Sequence, residues 1–156
     1  MSTTYFDHNA TTPLCDAARE AWFEAADRFW HNPSSLYPEA GAAKRRLEDA
    51  REQLAALLGI DDEGAIVFTS GATEANNAAL AHFARQAGGR RCAVSATEHP
   101  SALLAARHHF GGRLDEIPSL EGGTMDLGKL AEVLQRGETG WVALMAANNE
   151  TGAIQP

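Results

Sequence analysis

The sequence is poor in lysine and cysteine, and it contains no long apolar run. Lys44 and Lys129 are the only lysines and Cys15 and Cys92 the only cysteines among its 156 residues. Because neither cysteine belongs to a Cys-x-x-Cys pair, and no histidines have metal-ligand spacing, we expect no metal site. No stretch approaches the roughly 18 apolar residues of a membrane span. The N-terminus also lacks a basic segment followed by an apolar one, so we expect a cytoplasmic protein that does not enter a membrane.

Positive charge is also scarce. The chain has 13 Lys+Arg against 21 Asp+Glu, which gives a formal charge of −8 with histidine neutral. Its one basic cluster, 44–46, is flanked by Glu39, Glu48 and Asp49, and we interpret it as a solvated helix face. We therefore expect no nucleic-acid partner. With 44% hydrophobic and 22% charged residues, the composition is that of a globular domain with a packed core.

Helical and strand patterns alternate along most of the chain. Helical spacing of apolar residues predicts helices over 14–29, 39–58, 100–110 and 127–134, and a further helix opens at Ser70 to Thr73 and runs to about Gln86. Short β-branched or apolar runs predict strands over 66–69, 92–95, 113–117 and 141–145. Alternating strands and helices indicate an α/β fold, in which helices cover both faces of a mostly parallel sheet. Gly59 is placed to close the second helix in a left-handed cap.

Polar residues follow three of the predicted strands, where open α/β sheets bind their ligands. Ser70 to Thr73 open a helix, so their N–H groups and hydroxyls suit a phosphate, although such residues also serve as plain helix caps. His99 precedes a proline at the start of a helix, where it can stack on a ring, transfer a proton or cap the helix. Asn148 and Asn149 can hold a ligand or form an Asx turn. All of these groups arise at one end of one sheet.

Five short blocks of the sequence, in order along the chain, together point to a known family. They are Asp7-His8-Asn9-Ala10-Thr11-Thr12-Pro13, Asn32-Pro33-Ser34-Ser35, Phe68-Thr69-Ser70-Gly71-Ala72-Thr73-Glu74-Ala75-Asn76-Asn77, Thr97-Glu98-His99-Pro100 and Ala147-Asn148-Asn149-Glu150-Thr151-Gly152. These blocks resemble the signature segments of cysteine desulfurases, which are pyridoxal-phosphate enzymes of the class V aminotransferase group. The resemblance extends from Tyr5 to Pro156.

The resemblance implies a type I pyridoxal-phosphate fold and a homodimer with active sites at the subunit interface. Gly71, Ala72 and Thr73 would hold the cofactor phosphate, while His99 would stack on the pyridine ring and assist proton transfer. Asn149 would contact the cofactor ring hydroxyl and the substrate. The implied reaction takes sulfur from L-cysteine, leaving alanine and a persulfide on an enzyme cysteine. A sulfur-acceptor protein would then lie downstream, and iron–sulfur cluster assembly, tRNA thiolation and other pathways remain open at this point.

The same resemblance implies that this sequence is the family's N-terminal part. Residues 1–60 would form an arm with helices of the small domain and dimer-contact region. Residues 61–156 would form the first half of the large domain, truncated before the Schiff-base lysine, the pyridinium aspartate, the substrate arginine and the mobile-loop cysteine. Lys44 and Lys129 are interpreted as solvated surface residues. Neither Cys15 nor Cys92 is assigned as a nucleophile, and we expect the 156 residues alone to be inactive.

Other readings remain open at this stage. Selenocysteine lyases and other class V enzymes share much of this N-terminal pattern. The chain can also be a non-catalytic module that binds a phosphate-bearing ligand or a partner. A third reading is a partly folded remnant that associates through an unpaired sheet edge.

Overall fold

The computed structural model describes residues 4–156, which divide into two compact units. One unit ends at Phe68 and the other begins at Thr69. The predicted domain assignment, with its boundary between residues 60 and 61, stays a prediction. No helix in the described part of the chain is both long and apolar enough to cross a membrane.

The first unit contains two long helices, both of which the sequence predicts. Helix α1 spans Asp16–Arg28 and helix α2 spans Pro38–Leu58. Pro38 occupies the first turn of α2, where its missing N–H costs nothing. Gly59 ends α2 in the left-handed conformation, with φ of 67°, so the predicted cap is confirmed. A single 3₁₀ turn follows at Glu63–Ala65.

The expected buried strand at Ile66 to Thr69 is wrong. The segment is extended but belongs to no strand, and Val67 and Phe68 are exposed. The carbonyl of Ile66 accepts a hydrogen bond from Arg51 Nε at 3.1 Å instead of pairing with a strand. A β-branched run becomes a strand only where another strand offers its backbone, and no such partner exists for this segment within residues 4–156.

The second unit is built from three parallel strands and three helices in the described residues. The elements run α3 (Ala72–Gln86), β1 (Arg91–Ser95), α4 (Pro100–Phe110), a 3₁₀ turn (Gly111–Arg113), β2 (Leu114–Ile117), α5 (Leu127–Gln135) and β3 (Thr139–Ala143). The strand order is β2-β1-β3, and β1 pairs in parallel with both neighbours. The predicted mostly parallel sheet is therefore confirmed.

Helices pack on both faces of this sheet. On one face, side chains of α3 and α4 such as Leu80 and Phe110 pack against Cys92 and Val94 of β1. On the other face, Val133 of α5 packs with residues of β1, β2 and the connecting loop, namely Ala93, Ile117 and Met125. The alternation along β1 thus sends successive side chains into two separate cores. This confirms the layered arrangement predicted from the sequence.

The last strand begins and ends two residues earlier than predicted. The sequence places it over 141–145, whereas β3 spans Thr139–Ala143. Met145 has left the ladder because its backbone N–H donates to the carboxylate of Glu98. A side chain from a neighbouring loop therefore ends the strand, and the apolar pattern gives no sign of it.

An ion pair links β1 to β2. Arg91 Nε donates to Asp115 Oδ2 at 2.6 Å, and a second guanidinium nitrogen donates to Oδ1 at 2.9 Å. Side-chain exposure is 24% for Arg91 and 13% for Asp115. The hydrogen bond from Arg91 holds the pKa of the Asp115 carboxyl below its usual value, although partial burial acts in the opposite direction.

Candidate cofactor site

The turn that opens α3 has the features of an anion cradle. Gly71 is the N-cap residue, and no side chain caps the helix there. The first N–H groups of a helix have no partner within the helix, and the helix dipole favours a negative charge beside them. A Cβ added at Gly71 would meet no atom within 4 Å, so there is open space beside this backbone. Thr73 lies in the first turn and lines the adjoining cavity.

Glu74 is the acidic residue in the first turn of α3, and its carboxylate is hydrogen-bonded to Ser70. Its Oε2 accepts from the Ser70 hydroxyl at 2.6 Å and from the Ser70 backbone N–H at 2.7 Å. These two hydrogen bonds, the hydroxyl's first, lower the pKa of the Glu74 carboxyl. Of the two hydroxyls that the sequence offered to a phosphate, that of Ser70 is thus already donating to Glu74. Thr73 carries the remaining one.

His99 is the N-cap of α4, and its ring is held by its own helix. Nδ1 accepts from the backbone N–H of Ser101 at 3.1 Å and lies 2.8 Å from Ser101 Oγ. Asn76 of α3 donates from Nδ2 to the same Oγ at 2.9 Å. The capping interpretation of His99 therefore holds, and capping leaves Nε2 available for another role.

Two side chains clasp the loops that follow β1 and β3. The carboxylate of Glu98 accepts from the backbone N–H of Met145. In the opposite direction, Asn148 Nδ2 donates to the carbonyl of Thr97 at 3.0 Å. Residues 97–99 and 145–149 are thus tied together at the carboxyl end of the sheet. Sequence reasoning did not assign Glu98, and its only signal was its place next to His99.

Asn148 forms the Asx turn that was one of its two possible roles. Its Oδ1 accepts from the backbone N–H groups of Glu150 and Thr151, each at 2.9 Å. The residue is only 8% exposed. Its side chain is therefore fully used in holding the loop.

His99 lies between two cavities. One, of about 410 Å³, is lined by Thr73, Asn77 and His99 and by polar and apolar side chains of α4, among them Ser101 and His108. The other, of about 300 Å³, is lined by His99 together with the clasped loops and Asn149. Of the predicted site residues, Thr73 and His99 thus line the first cavity and His99 and Asn149 the second, whereas Gly71 and Ala72 line neither; their roles stay predictions.

The lysines and cysteines contribute nothing to these cavities. Lys44 and Lys129 are exposed and form ion pairs with Glu48 and Glu132 one helical turn away, at 3.8 Å and 2.7 Å. Cys92 is fully buried, and burial raises the pKa of its thiol to about 11. Within residues 4–156, no group of three or more histidine, cysteine and carboxylate side chains is placed to hold a metal ion.

The residues present fit the phosphate and one ring face of a pyridoxal-phosphate cofactor. The open space at Gly71 beside the helix N-terminus accommodates a phosphate. The imidazole of His99 and the apolar side chains Pro100, Leu104 and Ala105 border the adjoining cavity, which suits a flat aromatic ring. The fit does not extend to the aldehyde end, because Lys129, the only lysine of this unit, is paired on α5.

Comparison with known proteins defines the class. The Aminotransferase class-V family profile matches residues 4–156, and the chain belongs to this family. It is 39% identical over 159 residues to a cysteine desulfurase of Trichormus azollae, covering 100% of this chain and 39% of that protein. It is 38% identical over 157 residues to a mitochondrial cysteine desulfurase of Drosophila melanogaster, covering 97% of this chain and 34% of that protein. The chain thus spans less than half the length of these relatives.

Solved structures give the same grouping. A NifS-like protein superposes with a TM-score of 0.84 at 31% identity, covering 97% of this chain and 42% of that one. DndA from Streptomyces lividans superposes with a TM-score of 0.72 at 35% identity, covering 98% of this chain and 44% of that one. These similarities support the fold predicted from the sequence, that of part of a type I pyridoxal-phosphate large domain.

Proposed function

We propose that this chain supplies the phosphate cradle and one ring face of the active site of a pyridoxal-phosphate-dependent cysteine desulfurase. The observation that carries the proposal is the position of His99 between two cavities, one lined by Thr73 and the other by Asn149. The similarity to cysteine desulfurases along the whole chain supports the same assignment. The longer protein would convert L-cysteine to L-alanine and pass the sulfur to an enzyme cysteine as a persulfide.

Each residue has a defined task in this proposal. The backbone N–H groups of Gly71, Ala72 and Thr73, with the Thr73 hydroxyl, bind the phosphate. His99 packs on the ring and assists proton transfer, while Asn149 contacts the ring hydroxyl and the substrate. Pyridoxal phosphate, when bound, supplies an electron sink for bonds at the amino-acid Cα. The exposed, ion-paired Lys44 and Lys129 do not hold it covalently, so the 156 residues alone are inactive.

The biological setting follows from the proposed reaction. The full enzyme would act as a homodimer and hand its sulfur to an acceptor protein, with iron–sulfur cluster assembly as the pathway. NifS-like and IscS-type names among the relatives support this pathway. A cytoplasmic location agrees with free thiols at both Cys15 and Cys92.

Titration of the 156-residue chain with pyridoxal phosphate tests the cradle. We expect saturable binding that inorganic phosphate weakens, without visible imine absorbance. Thr73→Ala should weaken binding, Thr73→Ser should largely retain it, and Thr139→Ala, at the amino end of β3 and so at the opposite end of the sheet, is the matched control. Equal affinity for the Thr73→Ala and Thr139→Ala variants would contradict the cradle. Borohydride reduction and mass spectrometry check for an adduct, and a stoichiometric adduct on Lys44 or Lys129 that releases alanine from cysteine would overturn the predicted inactivity.

The longer protein tests the reaction itself. Incubated with L-cysteine, it should release alanine and reducible sulfur in equal amounts. Transamination or β-lyase activity without sulfur transfer would move it to another branch of the family.

A further inference from the structure

We propose that Asn76 and Ser101 are positioning residues that hold the His99 imidazole in the neutral tautomer whose proton is on Nε2. Neither residue is one of the cradle residues Gly71, Ala72 and Thr73, although Ser101 lines the same cavity as Thr73 and His99. The role of the Nε2 proton in proton transfer rests on the proposed function. The tautomer itself is a property of this chain and can be measured without any cofactor.

The first argument is the donor set at Nδ1. The backbone N–H of Ser101 can only donate, and it points at Nδ1 from 3.1 Å. An imidazole nitrogen that accepts a hydrogen bond carries a lone pair and no proton. The single proton of the neutral ring must therefore be on Nε2. This interaction belongs to the helix cap itself, because Nδ1 fills the N-cap role at the start of α4.

The second argument concerns the direction of the Ser101 hydroxyl. Asn76 Nδ2 donates to Ser101 Oγ at 2.9 Å, so it occupies one lone pair of that oxygen. The hydroxyl hydrogen is then directed to the other close acceptor, His99 Nδ1 at 2.8 Å. The result is a one-way chain of donors, from the Asn76 amide through the Ser101 hydroxyl to the imidazole, which reinforces the backbone donor.

The surroundings make this chain rigid. Asn76 and Ser101 are half-buried, whereas His99 is exposed, so the supporting residues are better shielded from water than the ring they hold. Asn76 lies on α3 and Ser101 on α4, and both helices pack in the same core through Leu80 and Ala105. The orientation of the ring is therefore tied to the packing of two helices. A ring held in this way presents Nε2–H as its one proton-bearing atom to the cavities that it borders.

Nuclear magnetic resonance of the ¹⁵N-labelled chain tests the proposal directly. Long-range ¹H–¹⁵N correlations through the carbon-bound ring protons report which nitrogen is protonated, and His99→Gln identifies the signals of this ring. At about pH 8 we expect the Nε2–H pattern. Ser101→Ala removes one donor and should raise the ratio of Nδ1–H to Nε2–H tautomers by roughly three- to tenfold. Ser101→Thr should restore the wild-type ratio.

A charge-matched pair of variants isolates Asn76. Asn76→Asp replaces a donor by an acceptor, which should draw the Ser101 hydroxyl away from Nδ1 and shift the tautomer ratio in the same direction as Ser101→Ala. Gln86→Glu adds the same charge at the exposed far end of α3, away from His99, so it should leave the ratio unchanged. Circular dichroism checks that each variant is folded. If Ser101→Ala does not fold, Asn76→Asp provides the same test of the tautomer ratio.

The outcomes separate this proposal from the proposed function. A proton on Nδ1 in the wild-type chain, or equal shifts from Asn76→Asp and Gln86→Glu, would overturn the positioning role. Failure of the chain to bind pyridoxal phosphate would count against the cofactor site but would leave the tautomer result standing.

Discussion

Replacing Asn148 by alanine tests whether the clasped loops owe their shape to one side chain. The variant loses four hydrogen bonds: two from the backbone N–H groups of Glu150 and Thr151, one to the carbonyl of Thr97 and a weaker one to Met145 Sδ. Each net hydrogen bond contributes about 0.5–1.5 kcal/mol, and this residue is nearly buried. We therefore expect local opening of the loop to become easier by about 2–4 kcal/mol.

Native-state hydrogen exchange measures this opening at the residues concerned. A change of about 1.4 kcal/mol is tenfold in an equilibrium constant, so the amides of Glu150 and Thr151 should exchange about 30- to 1,000-fold faster in Asn148→Ala. Asn77→Ala removes an exposed asparagine with one hydrogen bond and should leave these two amides within about twofold of wild type. Unchanged exchange at both amides in Asn148→Ala would refute the reasoning.

Three further predictions concern the core and its edges. A thiol reagent at pH 8 should label Cys15 and spare Cys92, whose pKa of about 11 and complete burial suppress the thiolate; labelling of both at one rate would contradict this. The hydrogen bond from Arg91 lowers the pKa of Asp115 in the folded protein. The stabilisation that the ion pair gives to the fold is therefore fully present above the usual carboxyl pKa of 3.8, and it is lost as the pH falls through the lower pKa of the folded state. Urea unfolding should show Asp115→Asn destabilised by roughly 1–3 kcal/mol at pH 6, with a smaller further loss than wild type below pH 4. Ile117→Ala, in the core, should cost about 2–5 kcal/mol, whereas Ile154→Ala at an exposed site should stay within about 0.5 kcal/mol, and equal losses would argue against the assigned core.

The parts of the fold that local sequence determines were predicted well. All five described helices lie within about two residues of their predicted bounds, and Gly59 ends α2 through the left-handed conformation that glycine favours. The strands β1 and β2 also lie where their apolar runs indicate. These features depend on residues close together in the chain, so composition and spacing carry enough information.

The errors arise where distant residues decide the structure. Ile66 to Thr69 has strand composition but no strand to pair with in the described chain, and the carbonyl of Ile66 binds a side chain of α2 instead. The end of β3 is set by the Glu98 carboxylate, 47 positions away from Met145. Neither contact has a signature in the local pattern. Only the three-dimensional arrangement of the loops shows them.

The residues of the candidate site also include some that the sequence could predict and some that it could not. Thr73, His99 and Asn149 could be proposed from their place after strands and from family resemblance, and the structure brings them to one region. The roles of Ser101 and Asn76 could not be proposed, since serine and asparagine are common in the first turns of helices for local reasons. Their significance depends on two separate helices meeting at His99 Nδ1.

The central place of β1 in the sheet also has a consequence for synthesis on the ribosome. Both strands that pair with β1 come later in the sequence, and β3 does not begin until Thr139. At translation rates of roughly 5–20 residues per second, one edge of β1 stays open for several seconds after the strand has been made. The clasp between Glu98 and Met145 requires residues made later still. In the order of translation, the cradle at α3 is made before the loop that carries Asn149, and that loop can join His99 only after β3 has been made.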